Sequence, residues 1–545
     1  MARRPAPAAL VAAGLLVLAA ASCTGGGETS ASSTQPTDEA PAASTTLRDD
    51  LPVVGGTLRL GVGRLESLDP ADASPESVSS AIAADLLFDG LTEVRAGDAA
   101  ARPALAARWD TADRGRTWRF TLRPDARFSD GSALTATDVE RSIERVVREG
   151  VASLSGSRLE ALLGYDDFVA GTTADLAGVR VADASTLEVQ LEVPLATLPE
   201  LLASPTFGVV SGLALDATNP SFAEAPSVTS GPFRFASRDG DVIRLVRTTD
   251  GDAYLDGVDL HQHDDLATAY DTFAAGGLDW SLVPPSRVDA AAEDHGVDGF
   301  VPFQAELFFG FNLAQPEFAD VRFRQAIMAA VDREAVVNAV YFGIARPLSV
   351  LIPEGVPGHD ARRCGDGCAY DPPRAEQLLE SAFPTGTVPT VYIDYDDGVD
   401  EAAVAGIIEE NLEAVGIPAT LRPHPAGAFG AFLTQGQGAL VRLGWVAVAP
   451  TGDAYLAPLF ASGSPDNVTG LADPSVDELL AAATAAVAPR ERERLLGEAE
   501  SAILALAPVV PLAQFQILSV AGDAVHDLDL AINGTFDPDA VWLSP

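Results

Sequence analysis

Lysine is absent from the 545-residue sequence, so its 35 basic residues are all arginine and are outnumbered by 78 aspartates and glutamates. The resulting formal net charge of −43 repels phosphate backbones and excludes nucleic acid as a partner. We attribute this charge to solubility and to overall composition rather than to an acidic functional patch. Because 47% of the residues are apolar, the chain can bury the cores of more than one domain.

Short catalytic motifs are also absent, including the Gly-x-Ser-x-Gly nucleophile elbow, the His-Glu-x-x-His zinc motif, the Walker loop and the dinucleotide fingerprint. Histidine occurs six times, and its closest cluster is His261-Gln262-His263-Asp264-Asp265. Two histidines at i and i+2 of a strand share one face and can bind a metal, but a polar strand end explains this cluster more simply. We therefore expect a binding protein without catalytic residues, cofactor or metal rather than an enzyme.

Long apolar runs are missing except near the N-terminus, where Ala8–Ala21 follows two arginines. A basic segment, a short apolar run and small residues form a secretory signal, and this run is too short for a membrane-spanning helix. The sequence Ala20-Ala21-Ser22-Cys23 resembles a bacterial lipobox, in which the cysteine is lipidated, although Ala20 stands where leucine is usual. We predict a signal peptide over residues 1–22, lipidation of Cys23 and a flexible tether to residue 51; a plain signal peptide with an incidental cysteine is the alternative.

Two further cysteines occur, both in Arg363-Cys364-Gly365-Asp366-Gly367-Cys368. Lipidation of Cys23 leaves this even pair in an oxidising compartment, where cysteines form disulfides. The glycine-rich loop bends readily enough to close a small ring. We predict a disulfide between Cys364 and Cys368; a metal site that includes His359, the histidine nearest in sequence, is the alternative.

Hydrophobic periodicity predicts alternating strands and helices, which indicates an α/β fold. Thr137 with Glu140 three residues later predicts a capping box at the start of one helix. Apolar residues at helical spacing predict a second helical unit from Asp320 to Val340. The other predicted elements are strands over 55–62, 117–123, 388–395 and 439–446 and helices over 79–87, 373–383, 401–415, 476–487 and 491–505.

Several motifs, in a fixed order from residue 55 to the C-terminus, carry a family resemblance. The most specific is Phe128-Ser129-Asp130-Gly131-Ser132-Ala133-Leu134-Thr135-Ala136-Thr137-Asp138-Val139. Before it stands Leu68-Asp69-Pro70, and after it come Gly231-Pro232-Phe233, Phe318-Ala319-Asp320-Val321-Arg322-Phe323-Arg324-Gln325-Ala326 and Gly444-Trp445. With these motifs the chain resembles the bacterial extracellular solute-binding proteins of family 5, which serve peptide and nickel ABC importers.

The resemblance implies a large two-lobed fold of the periplasmic-binding-protein type, with an inserted subdomain and a hinge made of two crossing segments. The implied parts are lobe I with residues 52–72, 190–307 and 510–545, the insertion with residues 73–189, lobe II with residues 308–509, and hinge segments near 306–311 and 507–512. Bending at the hinge would trap a ligand in the cleft between the lobes.

The resemblance also implies a function and its partners. The protein would capture a peptide or peptide-like small solute and deliver it to ABC permease subunits. We expect a monomer on the extracytoplasmic face of the cell membrane, attached through its lipid anchor alone. A secreted hydrolase on an α/β scaffold and a ligand sensor on the same fold are the alternatives.

One block departs from oligopeptide-binding relatives, whose Gly/Ser-Trp-x-Ala-Asp-Tyr sequence provides an aspartate for the α-amine of the peptide. In Gly444–Ala449 this aspartate is replaced by Val448, and valine cannot pair with a buried ammonium. The ligand is therefore expected to lack a free α-amine, to be capped or not to be a peptide. Asp453 would replace the missing acid only if its loop folded back.

The predicted ligand-binding residues centre on the same block. Trp445 offers a large flat apolar surface with one donor, and core packing is its alternative role. Arg442 matches a basic residue that oligopeptide-binding members use on a carboxylate, and a surface arginine is its alternative. Besides these two and Val448, the residues expected to line the cleft are Arg64, Leu65, Glu66, Phe308 and Phe309.

Replacement of Cys23 tests the predicted lipid anchor. Cys23→Ala removes the thiol available for acylation at the end of the apolar run, so we expect the protein to move from the membrane fraction into the medium. Immunoblots of fractionated cells measure this shift, with Thr24→Ala as the control. Unchanged membrane retention of the Cys23→Ala protein would contradict the lipoprotein prediction.

Overall fold

The computed structural model describes residues 51–149, 159–212, 222–249 and 252–545, so the predicted signal peptide, Cys23 and most of the predicted tether lie outside the described residues. The α-helices in these ranges are α1 Val78–Leu87, α2 Ala136–Glu149, α3 Tyr165–Val169, α4 Leu198–Leu201, α5 Leu266–Ala274, α6 Val288–His295, α7 Val321–Ala330, α8 Arg333–Val336, α9 Pro372–Ala382, α10 Val399–Ala414, α11 Ala426–Thr434, α12 Gly452–Phe460, α13 Pro474–Ala485 and α14 Pro489–Leu506. Among them no helix is long and apolar enough to cross a membrane.

The strands in the same ranges are β1 Thr57–Gly63, β2 Thr92–Arg95, β3 Asp98–Pro103, β4 Ala106–Ala112, β5 Thr117–Leu122, β6 Val179–Asp183, β7 Thr186–Gln190, β8 Phe233–Asp239, β9 Val242–Arg247, β10 Gly257–His263, β11 Trp280–Leu282, β12 Phe300–Phe311, β13 Ala345–Pro347, β14 Val391–Asp396, β15 Ala419–His424, β16 Leu440–Val446, β17 Val509–Ala521, β18 Val525–His526 and β19 Trp542–Leu543. The α/β prediction is confirmed. The predicted helices over 373–383, 401–415, 476–487 and 491–505 correspond to α9, α10, α13 and α14, each within two residues at either end.

The predicted capping box at Thr137 and Glu140 was wrong. Helix α2 begins at Ala136, and the Asp138 carboxylate accepts hydrogen bonds from the Thr135 backbone N–H at 2.9 Å and from its hydroxyl at 2.7 Å. The pattern of a threonine followed three residues later by an acid occurs twice in this stretch. The first occurrence caps the helix, because Thr135 precedes its first turn.

The single helical unit predicted from Asp320 to Val340 was also wrong. Helix α7 ends at Ala330 because Val331 adopts an extended backbone with φ −84° and ψ 117°. Asp332 then caps a new short helix, α8, by accepting a hydrogen bond from the Ala335 N–H at 2.9 Å. A π-helical turn over Val337–Tyr341 follows. The spacing of apolar residues did not reveal this break. An aspartate inside such a stretch can either cap a new helix or lie on the exposed face of a continuing one, and the spacing is the same in both cases.

Eleven strands form one large sheet in the order β15-β14-β16-β12-β17-β11-β1-β10-β9-β8, with β13 added beside β17. On one side, β1 pairs in parallel with β10 and β11. On the other side, β14 pairs in parallel with β15 and β16. The sheet therefore has two halves, each built around parallel strands that helices cover.

The two halves meet at β12 and β17, which run antiparallel from Phe300 opposite Leu518 to Gly310 opposite Val509. The register shifts between Pro302 and Glu306 and again between Leu307 and Phe308. Irregular positions of this kind bend a strand and increase its local twist. The two strands contain the segments that were predicted as the hinge; the hinge motion itself stays a prediction.

A smaller core lies under the four-stranded sheet β4-β5-β7-β6, where Trp118, Phe120 and Leu187 are buried against α2. Two elements cross the predicted boundaries of the insertion. The apolar side chains of α1, inside residues 73–189, pack into the large core, whereas α4, in predicted lobe I, packs into the small one. The domain limits therefore stay predictions, and the cores show only which elements pack together.

Half-buried carboxylates gather between α1 and the C-terminal segment. Burial raises the pKa of Asp89 to about 7, against the opposing effect of the Arg123 guanidinium, and Asp539 and Glu93 raise it further. Burial also raises the pKa of Asp85, with Asp89 as the next contributor. Between about pH 4 and pH 7 the folded protein thus holds protons that the unfolded chain releases.

We expect the free energy of unfolding to fall as the pH rises from about 5.5 to about 7, because in this interval the folded state still binds protons that the unfolded chain has already released. Asp89→Asn should reduce this loss by about 1–3 kcal/mol, since one pKa unit corresponds to about 1.4 kcal/mol. Urea unfolding at both pH values measures the difference, with Asp110→Asn on exposed β4 as the control. Equal pH dependence in wild type and Asp89→Asn would rule out this role for Asp89.

Candidate ligand-binding site

Trp445 stands near the end of β16, directly opposite Glu306 on β12. Its indole Nε1 donates a hydrogen bond to the Ala454 carbonyl oxygen at 2.9 Å, which ties the ring to the first turn of α12. The side chain is half-buried and packs at the margin of the large core. One part of the ring is therefore fixed, while another part stays open to contact.

Arg442 does not share a pocket with Trp445. The two residues are three positions apart on an unbroken strand, so their side chains point to opposite faces of the sheet. Arg442 is 4% exposed, and its guanidinium lies 3.3 Å from Asp396 Oδ1 and 3.3 Å from Glu401 Oε1. A ligand anion at this position would compete with two carboxylates of the same chain.

Val448 and Ala449 follow β16 and are buried in the small core, whereas the apolar side chains of β16 belong to the large one. Position 448 therefore presents an apolar contact and no acid. Asp453 does not fold back to replace it, because its Oδ2 accepts a hydrogen bond from the Thr197 hydroxyl at 2.8 Å. Within the described residues, its other oxygen Oδ1 has no partner.

The three residues expected beside Leu68 lie at the end of β1 and differ in exposure. The Arg64 guanidinium is exposed and pairs with Asp264 at 2.6 Å and Asp241 at 2.5 Å. Leu65 is buried, and its N–H donates to Gln262 Oε1 at 3.0 Å. Glu66 is exposed. Among the contacts described here, none joins Arg64, Leu65 or Glu66 to Trp445.

Phe308 and Phe309 are 3% and 0% exposed and belong to the large core on opposite faces of β12. Phe309 stands opposite Arg442, and Phe308 stands opposite Leu443. Aromatic residues at these positions pack the sheet where its two halves join. Their packing role is visible, while a ligand contact stays a prediction.

Buried polar groups that sequence reasoning did not select lie beside Trp445. Glu306 is 3% exposed and Gln304, two residues earlier on β12, is 2% exposed. Tyr455 on α12 is fully buried. In the described part of the chain, the Tyr455 hydroxyl and Gln304 Oε1 have no hydrogen-bond partner. A lone acid inside the apolar run Ala305–Phe311 was the signal that would have revealed this group.

Electrostatics link these side chains. Burial raises the pKa of Glu306 well above its ordinary value, and the nearby Glu500 carboxylate raises it further. Burial likewise raises the pKa of the Tyr455 hydroxyl, and the Glu306 carboxylate adds to this increase. We call this group of buried polar side chains the hinge pocket: Gln304, Glu306 and Tyr455, with the half-buried Trp445 opposite Glu306.

Three contacts join residues near the small core to helices α12, α13 and α14. Besides the Thr197–Asp453 hydrogen bond, the Ala196 N–H donates to the Thr484 carbonyl oxygen at 2.8 Å. Arg492 and Glu200 approach to 4.0 Å. These contacts hold the small core against the three helices α12, α13 and α14.

The remaining predicted positions lie elsewhere. His261 and His263 are on β10, burial lowers the pKa of both imidazoles, and no group of three metal-binding side chains occurs among the described residues. Cys364 and Cys368 are joined by a disulfide with a Cα–Cα distance of 5.6 Å. The neighbouring Arg363 pairs with Glu500 at 2.9 Å.

A sheet in two halves, two long strands that connect them and a buried polar pocket beside these strands define a two-lobed solute-binding protein. The chain belongs to the bacterial extracellular solute-binding proteins, family 5, whose middle-region model matches residues 100–467. Members of this family are binding proteins of transporters, not enzymes. The predictions of fold, family and a binding rather than a catalytic function are confirmed.

Similar proteins cover most of the chain. The probable deoxycholate-binding periplasmic protein YgiS of Escherichia coli is 28% identical over 471 residues, which cover 82% of this chain and 86% of YgiS. The dipeptide-binding protein DppE of Bacillus subtilis is 27% identical over 473 residues, which cover 81% of this chain and 84% of DppE. The solved structure of HbpA2 from Haemophilus parasuis shares the fold with a TM-score of 0.80 and 22% identity, over 90% of this chain and 100% of that one.

Thr197→Val tests whether the Thr197–Asp453 hydrogen bond holds the two lobes together. A hydrogen bond to a charged group contributes about 1.5–3 kcal/mol, so its loss should shift the equilibrium towards open forms by roughly tenfold or more. Small-angle X-ray scattering should then give a larger radius of gyration. Thr420→Val, at the exposed edge strand β15, is the matched control. Identical scattering from wild type and Thr197→Val would show that this bond does not limit opening.

Proposed function

We propose that this protein is the lipid-anchored solute-binding component of an ABC importer, and that it captures a peptide-like small solute between its lobes for delivery to the permease. The observation that carries the proposal is the position of the hinge pocket on β12. A ligand bound there contacts a strand common to both halves of the sheet, so binding and closure are coupled.

The ligand class is supported by the relatives and by the chemistry of the pocket together. Named ligands of similar proteins include a dipeptide, glutathione and deoxycholate. These molecules share a modest size, an apolar or amide-rich body and at least one charged group. The hinge pocket offers a half-buried indole and buried acceptors, which suit a solute with both apolar and polar parts.

The anchor is the part of the proposal that rests on the sequence alone. Lipidation of Cys23 would leave residues 24–51 as a tether that holds the body on the order of 30 Å from the membrane. A tether of this length lets the protein bind solute away from the surface and still reach a permease in the same membrane. Capture and delivery would thus occur without release of the protein from the cell.

Native mass spectrometry of protein purified from its own cells tests the proposal. We expect a small solute bound in a one-to-one complex that is lost on unfolding. Trp445→Ala should weaken binding of that solute by about 2 kcal/mol, roughly 30-fold, if the ring is a central anchor. Trp109→Ala in the small sheet is the matched control. A protein that carries and binds no solute, or equal affinities in both variants, would contradict the assigned function or site.

A further inference from the structure

We propose that the Cys364–Cys368 disulfide controls solute binding through its oxidation state. The oxidised bond holds residues 348–368, which we call the cystine segment, against the β12–β17 ladder. Reduction releases the segment and lowers the affinity for the solute. The inference rests on the proposed function, because it concerns regulation of the same site. It assigns positioning roles to Arg363 and Glu500, two charged residues that are not members of the hinge pocket.

The middle of the cystine segment is joined to both strands of the ladder through one side chain. Gln514 on β17 stands opposite Glu306, and its Oε1 accepts a hydrogen bond from the Glu354 N–H at 2.8 Å. Its Nε2 donates to the Glu354 carbonyl oxygen at 2.9 Å and to the Phe303 carbonyl oxygen of β12 at 3.1 Å. The segment therefore fixes the ladder at the pair of residues where the hinge pocket lies.

Glu500 on α14 fixes the segment from another side. Its Oε1 accepts hydrogen bonds from the Leu351 and Ile352 N–H groups at 2.7 and 2.9 Å, and its Oε2 accepts one from Arg363 Nε at 2.9 Å. Because the Glu500 side chain is 0% exposed, loss of Arg363 would leave a buried carboxylate without a counter-charge. Only residues 507 and 508 separate α14 from β17, so the segment is fastened on both sides of this junction.

The junction itself is strained. Ala507 has φ 47° and ψ 55°, which is the left-handed conformation. This conformation costs a residue with a Cβ about 1–2 kcal/mol and persists only where the surrounding structure holds it. Arg324 Nε donates to the Ala507 carbonyl oxygen at 3.0 Å, while the cystine segment holds the helix before it and the strand after it. Weaker contacts around the junction would therefore let it change conformation.

The disulfide determines where Arg363 lies. Cys368 is 1% exposed and belongs to the large core, where its Sγ lies 3.5 Å from Met328 Sδ on α7. The bond ties Cys364, and with it the neighbouring Arg363, to this fixed point. If the bond is broken, the two glycines between the cysteines leave Cys364 free to adopt many positions. The Arg363–Glu500 pair therefore depends on the oxidation state of the cysteines.

The guanidinium of Arg363 fits closely between the cystine segment and α14. Its Nη2 donates to the Gly358 carbonyl oxygen at 3.0 Å. A Cβ added at Gly497 would lie 2.5 Å from its Nη1, so position 497 has no room for a side chain while the arginine is in place. A methyl group there would displace the guanidinium without changing either cysteine.

Release of the segment should lower the affinity rather than raise it. In the oxidised protein, the ladder beside the hinge pocket is ordered before the solute arrives. In the reduced protein, binding would also have to order the cystine segment and the junction, and this ordering subtracts from the binding free energy.

Reduction is a thiol–disulfide exchange with an external dithiol, which is a small molecule or a protein. The two sulfurs of the dithiol become joined as a disulfide, while Cys364 and Cys368 take up its two electrons and two protons as thiols. Cys364 is half-buried beside the exposed Gly365 and Asp366, so its sulfur is the one that the attacking thiolate reaches. The reverse exchange would make a newly exported chain fully able to bind only after its disulfide has formed.

Hydrogen exchange measured by mass spectrometry, on oxidised protein and on protein reduced with dithiothreitol, tests the proposal. We expect reduction to speed exchange of the backbone N–H groups of residues 348–358 and 507–515 by at least about tenfold. It should also weaken binding of the co-purified solute, or of a pooled tripeptide library, by about tenfold in native mass spectrometry. A double variant, Cys364→Ser with Cys368→Ser, should behave as the reduced protein does and should not respond to dithiothreitol.

Two arginine variants form a matched pair, because the side chain of Arg362 is 93% exposed while that of Arg363 is bound to Glu500. In the oxidised protein, Arg363→Gln should reproduce the faster exchange and the weaker binding, whereas Arg362→Gln should leave both unchanged. Gly497→Ala should act as Arg363→Gln does, with both charges still present. Thermal unfolding of each variant confirms that it is folded at the temperature of the measurement.

The proposal is overturned if oxidised and reduced wild type exchange and bind alike, or if reduction lowers the unfolding temperature and changes neither exchange nor binding. It is also overturned if Arg363→Gln matches Arg362→Gln. Failure of the oxidised wild type to bind any solute would contradict the proposed function and, with it, the control of binding. The exchange measurement would then still show whether the disulfide restrains the ladder.

Discussion

The antiparallel pairing of β12 with β17 is the interaction on which the rest of the structure depends. The two strands lie in the middle of the eleven-stranded sheet, so the parallel strands of one half are connected to those of the other half through this ladder. Buried backbone N–H and C=O groups must be paired, and here they are paired with each other. Any relative movement of the lobes must therefore twist this ladder, and its two register shifts provide irregular positions at which a twist is accommodated.

Buried charges are compensated to different degrees in this structure. Arg442 is neutralised by Asp396 and Glu401, and Glu500 is neutralised by Arg363. Each of these groups strengthens a connection within the fold. Glu306 differs, because the fold desolvates it without compensation.

Sequence patterns predicted the features that depend on residues close together in the chain. They failed for the features that depend on residues brought together only by folding. Helices α9, α10, α13 and α14 followed from apolar spacing, and motif order identified the family. Strand alternation alone should have separated Arg442 from Trp445, but the carried-over motif placed them together. The partners of Arg442 are acids 46 and 41 residues earlier, which no local pattern connects to it. Glu306 was passed over because unpaired burial is a property of the folded chain and not of its sequence.

The location of the register shifts has a mechanical consequence. Glu306 lies between them, on the ladder that any relative movement of the lobes would have to twist. Points near a rotation axis move little and distant points sweep a long arc. A group bound at Glu306 would therefore move little, while the parts of each lobe farthest from β12 and β17 would move most. A small twist at these two strands would thus be enough to enclose a bound group between the lobes.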